Sequence, residues 1–225
     1  MPGGAGREPE TGWEGSARLP GHAPAVTRVP DRVDDGRVRT ERVLLAADLA
    51  VKVVTVGLLA LALAVPDWER FSDKAMAGRA VVYPLGLLVV PVAWLLVRRA
   101  RDFPVLADLL FSLPWCVDLL GNALDAFDSL AWFDDAAHLV NWGLLTAALA
   151  VVLPRALPTW VRVLLGAGCG CLAALVWEVG EFLTFVRGGP EEGTAYADTL
   201  GDMVLGTTGA VLASALVAAL LDRRR

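Results

Sequence analysis

Six apolar blocks of about twenty residues each dominate the chain, at roughly 43–65, 80–98, 104–123, 135–153, 160–186 and 199–221. A helix needs about twenty predominantly apolar residues to cross a hydrocarbon core, so this pattern predicts a polytopic membrane protein. The expected fold class is all-α, a six-transmembrane-helix bundle, with 56% hydrophobic residues in 225. Pro84 and Pro91 in the second span and Pro114 in the third are tolerable, because neighbouring helices can satisfy the freed backbone groups. Residues 1–40 hold five of the thirteen prolines and mixed charge without apolar periodicity. That composition predicts a disordered arm, and the lack of a signal-peptide pattern predicts that the first span stays as an uncleaved anchor.

Basic residues set the orientation. Arg28, Arg32, Arg37, Arg39 and Arg42 precede the first span, Arg98, Arg99 and Arg101 follow the second, Arg155 and Arg162 flank the fourth-to-fifth connection, and Arg223, Arg224 and Arg225 end the chain. Arg70, Lys74, Arg79 and Arg187 lie on the other side. The positive-inside rule places both termini in the cytoplasm, and the alternation holds through all six spans. Trp68, Trp132 and Trp160 stand near span boundaries, as interfacial anchors do. Topology thus accounts for the basic residues, and with no aromatic-interleaved basic patch, nucleic-acid binding is excluded. Cys116, Cys169 and Cys171 lack metal-site spacing and read as small packing residues.

On this topology the acids gather at one depth. Asp118, Asn122 and Asp125 close the third span at its outer end, and Asp134, Asp135, His138 and Asn141 open the fourth. Glu178 and Glu181 lie in the last part of the fifth, and Asp198 and Asp202 begin the sixth. Asp134 and His138, Asp118 and Asn122, and Asp198 and Asp202 are each i and i+4, while Glu178 and Glu181 are i and i+3, so each pair shares a helix face. Asp134, Asp135 and Asp198 could instead complement helix N-termini. Glu178, Glu181 and Asp202 lie inside their helices, where a charge usually faces the bundle interior or a wet cavity. Asp125, Asp128, Glu191 and Glu192 read as solvated loop charges. Asp48 and Lys52 can pair within the first span, leaving no basic residue expected at the depth of the acids.

Seven carboxylates (Asp118, Asp134, Asp135, Glu178, Glu181, Asp198 and Asp202) around one histidine, His138, cannot all stay ionised in a low-dielectric pocket without compensation. Either several are protonated or a cation sits among them. Oxygen-rich ligands with one imidazole suit a divalent metal such as Mg, Mn, Ca or Zn. Gly166 and Gly170 form a small-xxx-small pair in the fifth span, and Gly206 and Gly209 thin the sixth, which predicts close helix packing.

The run Phe133-Asp134-Asp135-Ala136-Ala137-His138, then Trp177-Glu178 with Glu181, then Asp198-Thr199, Asp202-Met203 and Gly209-Ala210 resembles the YjdF family of bacterial inner-membrane proteins. More distantly it is similar to the VanZ family, which is associated with reduced susceptibility to glycopeptide antibiotics. Gly206 stands where the VanZ pattern has asparagine, and the glutamate pair replaces a glutamate–glutamine arrangement, so resistance is not what this chain implies. The YjdF resemblance, over roughly residues 43–221, implies a bacterial inner-membrane location and no reaction.

Three functions fit these residues. One is a metal-dependent hydrolase or transferase acting on lipid or cell-envelope precursors, with Glu178 or Glu181 as the catalytic general base. Another is a proton- or cation-coupled transporter, against which stand the one-ended clustering of the acids and the lack of an inverted repeat. The third is a membrane protein whose polar cluster fixes helix packing or holds an ion. The topology is checked by reporter fusions: a periplasm-active phosphatase joined after Gly189 is expected to be active, and one joined after Arg225 inactive. The reverse pattern would invert the bundle.

Overall fold

A computed structural model describes residues 32–72, 74–97, 102–189 and 192–223. It is all-helical: α1 (Arg32–Ala64), α2 (Met76–Val97), α3 (Val105–Ala123), a one-turn α4 (Ala126–Ser129), α5 (Phe133–Val152), α6 (Thr159–Glu181) continued by a π-helical turn (Phe182–Val186), and α7 (Ala195–Asp222). Six of these are long and apolar enough to cross a membrane. Prolines set several boundaries: Pro104 and Pro158 directly precede α3 and α6. Leu153, extended before Pro154, ends α5.

Two boundaries differ from the sequence expectation. Helix α1 starts at Arg32, so the last residues of the expected arm are helical, while residues 1–31 lie outside the described residues. Helix α2 starts at Met76 rather than at residue 80, which places Arg79 in its first turn. The polar Arg79 marks a membrane flank in the sequence, but its partners, described below, draw it into the bundle.

The helices form two groups joined through α3 and α5. On one side α3 packs against α1 and α2; on the other α5 packs most extensively on α7, and α6 packs on α7 and α5. The apolar core of the first group contains Leu59, Ala62, Phe71, Met76, Tyr83 and Leu119. Within it Lys52 donates to Asp48 at 2.9 Å, as its spacing predicts, and also to Asp108 of α3. Asp48 and Asp108 are both buried.

The second group is held by close backbone approach. A Cβ on Gly209 would be driven into the Leu139 carbonyl of α5, and one on Gly170 would meet Thr146 Oγ1 and the Ala210 Cβ. Small residues let helices approach closely where hydrocarbon supplies no competing drive. Gly209→Val should therefore separate α5 from α7, costing on the order of 1–3 kcal/mol of overpacking. The expected readout is a lowered unfolding temperature in detergent; a variant that melts with the wild type would show that this approach is not required.

Candidate functional site

The candidate acids lie at one end of the bundle, where the N-terminal ends of α5 and α7 meet the C-terminal end of α6, and His138 is their meeting point. Its Nε2 lies 3.7 Å from Asp134 Oδ1 and 3.8 Å from Asp202 Oδ1, and its Nδ1 lies 3.5 Å from Glu178 Oε1. The imidazole thus links an acid of its own helix to one from each neighbour. Asp134, His138 and Asp202 can bring one ligand atom each within 4.8 Å of one another, as can His138, Glu178 and Glu181. Glu178 is 4% exposed and Asp202 6%, whereas the Asp134 side chain is 47% exposed. The cluster therefore grades from a buried base to an open rim. His138 Nδ1 and Glu178 Oε1 are buried without hydrogen-bond partners, a state that polar atoms in hydrocarbon rarely keep. Directly after Glu181 the helix widens into the π-helical turn Phe182–Val186, a distortion frequent at functional sites.

The remaining candidates lie elsewhere. Asp118 faces Arg79 and Tyr83: the Arg79 Nε donates to Asp118 Oδ2 at 3.0 Å and to Tyr83 Oη at 3.0 Å, and the Tyr83 hydroxyl donates to the same carboxylate oxygen at 2.6 Å. A basic residue therefore does stand at the depth of the acids, and it takes one of them. Asp135 and Asp198 are exposed and belong to neither close grouping around His138. Asp134, Asp135 and Asp198 do not cap their helices: Trp132 and Thr194 occupy the caps of α5 and α7, without side-chain cap bonds. Asp134, Asp135 and Asp198 sit in first turns, where the helix dipole favours them.

Asp125 and Asp128 pair with Arg70 and Lys74 instead of standing free in solvent. Three of the four basic residues that oppose the positive-inside count are thus tied to acids of α3, α4 and the link between them. Asn122 turns its amide back to the Asp118 carbonyl at 2.8 Å.

In front of the cluster lies a cavity of about 160 Å³. Asp134, His138 and Glu181 line one side of it, the Arg79–Asp118–Tyr83 group lines the other, and Trp115, Phe127, Trp142 and Trp177 supply aromatic walls. Sequence reasoning missed Arg79 and Tyr83 as site residues. The i, i+4 spacing of those two was the available signal, together with an acid on α3 that lacks a cation on its own helix.

The family described as predicted membrane protein (DUF2238) matches residues 51–223. The chain belongs to that family. The match begins at Val51, within the first span, and takes in the other five spans and every residue of the His138 cluster. No curated protein and no solved structure matches the chain.

Removing the Arg79 guanidinium should leave the half-buried Asp118 without its cation, at a cost below the roughly 3–5 kcal/mol of a fully buried pair. Arg79→Met is expected to lower the unfolding temperature strongly, and adding Asp118→Asn is expected to restore much of the loss. A double variant no better than the single one would mean that Arg79 acts by some route other than this pair.

Proposed function

We propose that the outer end of the bundle is a cation-binding site, with His138 and the carboxylates of Asp134, Glu178, Glu181 and Asp202 as ligands to a divalent metal. The observation that carries this reading is the pair of overlapping groupings on one imidazole, each with its ligand atoms within 4.8 Å. Zinc-type bonds to imidazole and carboxylate are about 2.0–2.2 Å long, so small side-chain rotations would bring separations of this size to coordinating distance. Imidazole with carboxylates fits Mn or Zn, and Mg or Ca would draw on the oxygens alone. A bound cation would also compensate the unpartnered Glu178 oxygen. Asp118, Asp135 and Asp198 contribute in this reading only through their field.

The YjdF resemblance of the same residues agrees with a membrane protein that carries this cluster as its shared feature. A second reading follows from the cavity in front of the cluster: a metal-dependent hydrolase or transferase acting on a lipid or cell-envelope precursor. Glu181 lines that cavity and is better placed than Glu178 to take a proton from an attacking water. A bound divalent ion would supply Lewis acidity, while Glu178 and Asp202 would orient the His138 ring.

The test is the metal content of detergent-purified protein, wild type beside Glu178→Ala and His138→Ala. About one equivalent of Mn or Zn in the wild type, lost in both variants, is expected for such a site. Metal-free wild type after supplementation with Mg, Mn, Ca and Zn would reject the metal and leave protonated carboxylates as the means of compensation.

A further inference from the structure

A second cavity, of about 340 Å³, lies in the inner half of the bundle. It is bounded by Val89, Ala93 and Trp94 of α2, Phe111 of α3, and Ala148 and Leu149 of α5. Its origin is topological. Both α2 and α5 pack on α3, but they make no more than marginal contact with each other, so α3 floors a groove between them. The α2 wall opens toward the surrounding lipid, with Val89 45% and Val97 76% exposed.

This largely apolar chamber, whose lining also includes Asp102, lies next to the polar one. Leu145 lines both cavities, and the Phe111 ring of the inner chamber stands 6.3 Å from the Trp115 ring of the outer one. From Asp134 to Val152 the α5 wall rises about 27 Å, close to the thickness of a hydrocarbon core. The chambers differ in chemistry. Asp118 is neutralised by Arg79, which leaves Asp134 and Glu181 on the outer walls with Glu178 and Asp202 behind His138. That chamber is rich in carboxyl groups and lined by Trp115, Trp142 and Trp177, and tryptophan ring faces attract cations. Behind the chamber wall, Glu178 Oε1 is buried without a hydrogen-bond partner, 3.5 Å from His138 Nδ1, and acts on the chamber through its field.

We propose that the two chambers together bind a long-chain amphiphile with an ammonium head. The head occupies the acidic, aromatic outer chamber, and the hydrocarbon chain passes Leu145 to lie between α2 and α5. Charge complementarity selects the head, and the groove's opening to the bilayer selects the chain. The head half rests on reading the acid–histidine cluster as a cation site; the chain half does not.

The experiment measures binding of hexadecylamine to the full chain in a nonionic detergent by native mass spectrometry, against hexadecanol, hexadecyl sulfate and butylamine. Hexadecylamine is expected to bind saturably and at least about tenfold more tightly than the other three. Ala93→Trp, at an exposed position of the groove wall, should reduce hexadecylamine to the level of butylamine while metal uptake and elution profile stay as in wild type. Val89→Trp should do the same, and the two variants together separate a filled groove from a misfolded bundle. Asp134→Asn combined with Glu181→Gln should bring hexadecylamine down to hexadecanol.

Hexadecanol bound as tightly as hexadecylamine would overturn the head assignment, and wild-type binding in both groove variants would overturn the chain assignment. Metal uptake without selectivity for hexadecylamine would sink this inference and spare the metal site. Selective hexadecylamine binding by a protein that takes up no metal would do the opposite.

Discussion

A carboxylate inside a bilayer has to be protonated, paired with a base or bound to a cation, because hydrocarbon supplies no solvation. Helix α3 carries two such groups, Asp108 toward its N-terminal end and Asp118 toward its C-terminal end. Lys52 of α1 takes the first and Arg79 of α2 takes the second. These contacts tie α1 and α2 to α3 and fix their depths against it. With α2 held at its N-terminal end by Arg79 and Tyr83, its C-terminal half is left standing away from α5, and the apolar groove follows from that placement. Arg162 of α6 takes Asp222 at the far end of α7, but among the described residues Asp134, Glu178 and Asp202 have no such base, and the partner they share is one imidazole.

The two halves of the bundle therefore solve the same electrostatic problem differently. In the first, each carboxylate meets a lysine or arginine, with Asp48 and Asp108 sharing Lys52. In the second, small residues bring the backbones together below the cluster while Glu178, Asp202 and His138 crowd above it. Close packing at Gly170 and Gly209 fixes the facing registers of α5, α6 and α7, and on α5 the Gly209 contact falls at Leu139, directly beside His138. A site assembled from three helices is only as well positioned as the contacts beneath it.

Most of this architecture was legible in the chain. The apolar blocks located six helices, and the alternation of arginines gave one topology consistent with all of them. The i, i+4 spacing of Asp134 and His138, and the depth of Glu178 and Asp202, pointed to residues that do lie together. The misses share a physical cause. Asp108 has no charged neighbour on its own helix, and its partner lies 56 residues earlier, so no local pattern marks it. Arg79 looked like a flanking charge because an arginine is unfavourable in a span, and only the distant Asp118 makes it favourable there. For Asp135 and Asp198, sequence spacing gives the helix face but not the helix rotation, and both ended on exposed surface.

The order of partners along the chain has a consequence for how the protein is made. Helix α3, among the more polar spans, enters the membrane after α1 and α2, and the bases that neutralise Asp108 and Asp118 are by then already synthesised. It can pair as it leaves the translocation machinery. Helix α5 has no such advantage: His138 and Asp134 emerge first, and Glu178 and Asp202 arrive only with α6 and α7. For the time it takes to synthesise those two helices, the fifth must wait with its polar residues at the membrane boundary, sheltered by α3 alone. Assembly of this protein is therefore most exposed to failure late, between the appearance of the imidazole and the arrival of the acids that surround it.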